Sequence, residues 1–109
     1  MPSNPELTAR VRTAVKSRKG ITEKRMFGGD AFLLHGNLVV AVWGNSLIVR
    51  LGLVQAEEVQ HDPEVGPMDL TGRRMKGWII VAPSGVETDR DVKAWVQRAI
   101  EFVKTLVPK

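Results

Sequence analysis

Residues 23–51 read EKRMFGGDAFLLHGNLVVAVWGNSLIVRL, and this stretch decides the fold. Three apolar runs stand in it, Ala31–His35, Leu38–Trp43 and Leu47–Leu51, each short and rich in Val, Ile, Leu and Phe. Runs of that length and composition are strands. Gly36-Asn37 separates the first two and Gly44-Asn45 the second two. A glycine at the first central position suits a type II′ turn, whose twist matches the strands it joins. Tight turns leave neighbouring strands antiparallel, because a parallel pair needs a crossover of about a dozen residues or more. The stretch therefore predicts an antiparallel meander.

Working outward, Ser3-Asn4-Pro5-Glu6 is a helix start, with Ser3 and Glu6 spaced as a capping box and Pro5 in the first turn. Leu7, Val11, Ala14 and Val15 follow at helical spacing. Lys16, Arg18 and Lys19 complement the carboxyl end of the helix dipole, and Gly20 is the expected stop. Ile21–Phe27 reads as a first strand, broken by Gly28-Gly29. Beyond the meander, Leu53–Gln60 is a short helical segment with an acidic face at Glu57-Glu58, and His61–Pro67 is a loop. Met68–Thr71 is a candidate short strand, and Lys76–Ala82 is a strand built on Trp78, Ile79, Ile80 and Val81.

The last element carries the clearest amphipathic pattern. Thr88 and Asp91 form its cap, and Val92, Trp95, Val96, Ala99, Phe102, Val103 and Leu106 recur at steps of three and four. Strands segregated from flanking helices predict an α+β fold, with the N- and C-terminal helices on one face of an antiparallel sheet. No linker, low-complexity segment or internal repeat divides the chain, so residues 1–109 read as one domain.

Leu38–Trp43 is apolar at every position. Strict alternation would place Leu38, Val40 and Val42 on one face and Val39, Ala41 and Trp43 on the other. A sheet covered by helices on one side normally shows polar residues on the other. The second face here needs a cover, supplied either by a second copy of the chain, as a homodimer, or by residues 53–67.

The chain has no cysteine, which excludes disulfides, thiol nucleophiles and Cys-ligated metals. No apolar run approaches the roughly 18 residues of a membrane span, and no signal pattern opens the chain. A cytoplasmic protein is expected. The formal net charge is +4, distributed unevenly: residues 1–52 hold eight Lys/Arg against three acids, and residues 53–67 hold four acids and no Lys/Arg. A positive excess attracts nucleic acid non-specifically, and it is also the ordinary solvated face of a basic domain.

Catalytic and cofactor patterns are missing. His61 lies near Asp62 and Glu64, but no second histidine completes a metal set, and His35 stands alone at a strand end. Ser46 and Ser84 lack a G-x-S-x-G turn. Gly28-Gly29-Asp30 puts an acid where a phosphate would sit, and Gly72–Gly77 places Lys76 before its second glycine instead of after it. No cofactor, metal or catalytic residue is expected, and an enzyme remains only as a third reading, with a site that spacing does not reveal.

Two segments pair arginine with methionine beside glycine: Lys24-Arg25-Met26-Phe27-Gly28 and Arg73-Arg74-Met75-Lys76-Gly77-Trp78. Arginine suits phosphate or carboxylate, and Met suits an adaptable contact surface. Lys24, Arg25, Met26, Arg73, Arg74, Met75 and Lys76 are therefore the candidate interaction surface. The plainer reading keeps Phe27 and Trp78 in the core, with the charges flanking strand ends. If the strands that hold them are neighbours, the two segments meet, with Glu23 and Asp69 as internal counter-ions.

KRMFGGDAFLLHGN (24–37) and PMDLTGRRMKGW (67–78) resemble the signatures of the TfoX/Sxy family amino-terminal domain. The resemblance runs on through Gly44, Leu47 and Val49-Arg50 to Trp95-Val96 and Leu106–Lys109, and covers the chain from about Leu7. One departure is Arg74, where the pattern often has proline. The resemblance implies a two-layer, secretion-chaperone-like α+β fold. It also implies a non-enzymatic regulatory role, since namesake members act as transcriptional co-activators of competence for DNA uptake. Those members carry a second, carboxyl-terminal domain, and this chain reads as a single-domain member. Some relatives bear a nucleic-acid-modifying enzyme label, for which this sequence holds no cofactor-binding motif. The expected partner is a protein, and the alternative is nucleic acid bound around Arg25 and Arg73/Arg74.

Overall fold

The computed structural model describes residues 4–26, 28–68 and 75–109. Helix α1 (Pro5–Val15) is followed by strands β1 (Ile21–Met26), β2 (Gly29–Leu34), β3 (Asn37–Trp43) and β4 (Ser46–Arg50). Then come a short helix α2 (Leu53–Glu58) running into a 3-10 turn at Val59–His61, strands β5 (Val65–Pro67) and β6 (Trp78–Val81), and the long helix α3 (Asp89–Val103). The strands form one six-stranded sheet in the order β1-β2-β3-β4-β6-β5, antiparallel throughout. The architecture is α+β, as the meander predicts. The later strands leave the simple meander: β6 returns beside β4, and β5 takes the outer edge. Strand β5 falls at 65–67, inside the stretch that reads as loop, and most of the Met68–Thr71 strand candidate lies outside the described residues.

Helices α1 and α3 lie together on one face. Their inward residues Leu7, Val11, Val15, Val92, Val96, Ala99, Ile100 and Val103 pack against Phe32, Leu34, Val42, Leu47, Val49, Ile79 and Val81 of the sheet. Ala56 and Val59 of the α2 region join this same layer. No helix among the described residues is long and apolar enough to cross a membrane.

The caps explain where the helices begin. Asn4, not Ser3, is the N-cap of α1: its side-chain oxygen accepts from the N–H of Glu6 at 2.9 Å and of Leu7 at 3.3 Å, and Pro5 takes the first helical position. Ser3 lies outside the described residues. Thr88 caps α3 as its spacing predicts, accepting from the Asp91 N–H at 3.1 Å.

The turns divide. Gly44 has φ 61° and is the one central residue of its turn with positive φ, which is the II′ pattern. The β2–β3 turn differs from expectation. Leu34 pairs with Asn37, so the central residues are His35 and Gly36, with φ 50° and 84°. Two positive values make it a type I′ turn.

A β-bulge overturns the expected faces of β3. Phe32 pairs with Val40, but Leu33 pairs with Leu38, so Val39 is an extra residue in the ladder. Val39 and Val40 both turn to the helix layer, and Leu38 and Ala41 fall together on the other face. Alternation assigned Val39 and Ala41 to one face. An unpaired residue breaks the period of two, and no local sequence feature marks it.

Candidate functional site: the methionine-tryptophan face

The face away from the helices has an apolar core of its own: Ala31, Leu33, Leu38, Ala41, Ile48 and Met68. Met26, Trp43, Met75, Trp78 and Ile80 are half-buried against it. The requirement for a cover is met within the chain, because Ala31, Ile48 and Met68 are at most 1% exposed. Residues 53–67 are not that cover, since Ala56 and Val59 pack on the helix side. Met68 and Met75 are part of it, and the Met75 N–H donates to the Met68 carbonyl at 2.9 Å, which draws the two together on this face.

Part of the expected interaction surface lies on one face of the sheet. Met26 and Met75 both pack against the same apolar cluster. They do so although β1 and β6 are not neighbours: three strands stand between them, so the neighbouring strands through which the two segments would have met are not present. Lys24 is opposite Ala31, a residue of this cluster, so it shares the face with Met26 and is exposed. Lys76 is exposed next to Met75.

Arg25 separates from Met26, because adjacent strand residues point to opposite faces. It is opposite Asp30, whose Oδ1 lies 3.8 Å from its Nη1. Asp30 also accepts from the Thr8 hydroxyl of α1 at 3.1 Å, which fixes that carboxylate on the helix side. Glu23 is not the counter-ion of Arg25. It holds Arg12 of α1 through hydrogen bonds of 2.8 and 2.7 Å, and these raise the Arg12 guanidinium above its ordinary value. Arg73, Arg74, Asp69 and Phe27 lie outside the described residues.

The remaining candidates are spread over the fold. Trp78 is half-buried between core and rim. The His35 ring lies over Gly20, where a Cβ would come within 2.5 Å of its Cε1. His61 closes the 3-10 turn after α2. Among the described residues no group of three or more His, Cys, Asp or Glu could hold a metal ion.

Sequence reasoning passed over a second feature. Arg50 leaves β4 with its guanidinium 5.1 Å from the centre of the Trp78 ring and 5.9 Å from that of Phe102. Burial lowers its proton affinity below the ordinary value. Beside it, Leu51, Gly52, Leu53, Val54, Gln55 and Phe102 line an apolar cavity of about 330 Å³. Leu53 and Val54 are 63% and 72% exposed, unusual for large aliphatic residues on a helix. The signal in sequence is the pair Leu53-Val54 at the wet start of a short acidic helix.

Comparison with known proteins adds the family. No curated protein and no solved structure matched the chain. The model of the TfoX N-terminal domain matches residues 13–103, from the second half of α1 to the end of α3. That span holds every strand of the sheet and both faces just described, and the chain belongs to the TfoX N-terminal domain family.

Proposed function

We propose that this chain is a non-enzymatic regulatory or adaptor domain, acting in transcriptional regulation through contact with another protein. The family supports the regulatory part. The observation that carries the contact is the half-buried rim of Met26, Trp43, Met75, Trp78 and Ile80 on the sheet face away from the helices. Methionine adapts its shape to a partner, and tryptophan contributes large contact area at low entropic cost. Lys24 and Lys76, exposed beside the two rim methionines, add a basic margin. Photo-crosslinking from positions 26 and 75, with Lys93 on the outer side of α3 as control, tests this reading. The expected result is one adduct shared by both rim positions, competed by unlabelled protein and missing from position 93. Adducts from position 93 alone would overturn it.

Nucleic acid is the second reading, favoured by the net charge of +4 and by Arg25, whose side chain is 72% exposed. Asp30 partly offsets that charge. Titration of a fluorescent duplex at two salt concentrations separates the readings, since phosphate contacts make affinity fall with salt. Replacing both Arg73 and Arg74 by Ala would then flatten the salt slope by about one unit per lost contact. Absence of binding at low salt removes this reading.

A further inference from the structure

We propose that Arg50 and the adjoining groove form a recognition site for a protein segment carrying a carboxylate side chain next to a large apolar one. This goes beyond the methionine-tryptophan rim and shares only Trp78 with it. Arg50 sits in contact range of two aromatic rings, Trp78 and Phe102, which hold the guanidinium in place. No hydrogen bond or ion pair joins it to an acceptor among the described residues. None of its side-chain nitrogens is fully buried without a partner. A planar fork held by stacking loses little freedom on binding a carboxylate.

The groove begins where Arg50 ends. Phe102 belongs to both, stacking near Arg50 and lining the cavity with Leu51, Leu53 and Val54. The wall is braced by backbone: the N–H groups of Leu51 and Gly52 both donate to the Gly77 carbonyl at 3.0 Å. Gly52 has φ 85° and lies under Phe102, so close that a Cβ there would come within 2.6 Å of the ring. A preformed apolar slot next to a cation with no acceptor among the described residues fits an apolar side chain and an acid in sequence. A nucleic-acid strand fits poorly, because helix α2 lines the groove and exposes Glu58, which repels a run of phosphates.

Nitrogen-15 NMR titration of the intact chain tests the site. The probe is a capped tetrapeptide of glycine, leucine, aspartate and glycine. It is compared with versions carrying asparagine for aspartate or glycine for leucine, and with a deoxythymidylate dodecamer. The aspartate peptide is expected to shift the Arg50 Nε–H and the Gly52 N–H, and each altered peptide to bind about tenfold more weakly. Arg50→Lys should shrink the aspartate-asparagine difference, with retained amide dispersion of β1 and β2 reporting the fold. Equal binding of the aspartate and asparagine peptides would overturn the proposal without any variant. So would shifts confined to residues remote from the groove, or tighter binding of the dodecamer at the same resonances. None of these outcomes bears on the crosslinks from positions 26 and 75.

Discussion

His35 is the one described residue other than glycine with a positive φ, 50°, and it owes this to the turn it occupies. A type I′ turn needs both central residues left-handed, which suits Asn or Gly at the first position better than His. Two effects compete on substitution. The left-handed region costs an L residue about 1–2 kcal/mol, of which asparagine recovers a part by local hydrogen bonding. Against this, the His35 ring lies over Gly20 and would be lost. The residue is exposed, so the lost packing is small. His35→Asn is expected to raise stability by on the order of 0.5 kcal/mol, read as a higher urea midpoint at unchanged slope. A lower midpoint would mean that the ring on Gly20 outweighs the turn. The same residue shows what sequence leaves open. Gly36-Asn37 and His35-Gly36 are both credible central pairs, and only the Leu34–Asn37 pairing selects between them. The Gly44 turn was legible because Trp43 and Ser46 pair and leave Gly44-Asn45 between them.

Among the elements, the two capped helices differ in what their caps touch. Thr88 satisfies one N–H of α3, and Asp89 and Asp91 in the first turn complement the dipole independently of it. Thr88→Ala should therefore cost about 1 kcal/mol, the ordinary worth of an N-cap. Asn4 does more. Its side chain caps α1, donates to the Asn45 side chain at 2.8 Å, and its N–H donates to the Gly44 carbonyl at 2.9 Å. It ties the start of α1 to the β3–β4 turn. Asn4→Ala is expected to lower the urea midpoint further than Thr88→Ala, and a smaller drop would mean that the tie to Asn45 adds nothing. Local pattern revealed α3 almost completely, because its stripe keeps to the helical period; Ile100 is the buried residue it omitted. The faces of β3 were not legible, since a bulge is set by the register between strands and the inserted Val39 looks like its neighbours. For the same reason Met26 and Met75 could be nominated by type but not placed. Their sharing of one face depends on the second face of the sheet, whereas Arg25 left that face through simple alternation.

At the scale of the whole molecule, the question is whether copies of the chain pair with one another. Two routes exist, through sheet edges and through the second face. Edge β1 carries Thr22, Glu23, Lys24 and Arg25, all exposed, and charged residues discourage a further strand from adding. Edge β5 is three residues long and ends in Pro67, which has no N–H to offer. The second face loses most of its drive to pair because Ala31, Ala41, Ile48 and Met68 are at most 1% exposed in the single chain. What remains is a rim of half-buried side chains, which is adaptable but small beside the roughly 800 Å² per partner of a stable interface. Sedimentation at tens of micromolar is expected to give a single species of 12.1 kDa. A dimer under those conditions would show that the rim is enough, and the decisive variant is then Met26→Glu. It puts a charge at the rim on an edge strand, where the fold tolerates it, and would return the protein to monomer. A dimer that survived Met26→Glu would shift attention to Leu53 and Val54, the largest exposed aliphatic surface elsewhere on the described residues apart from Val107.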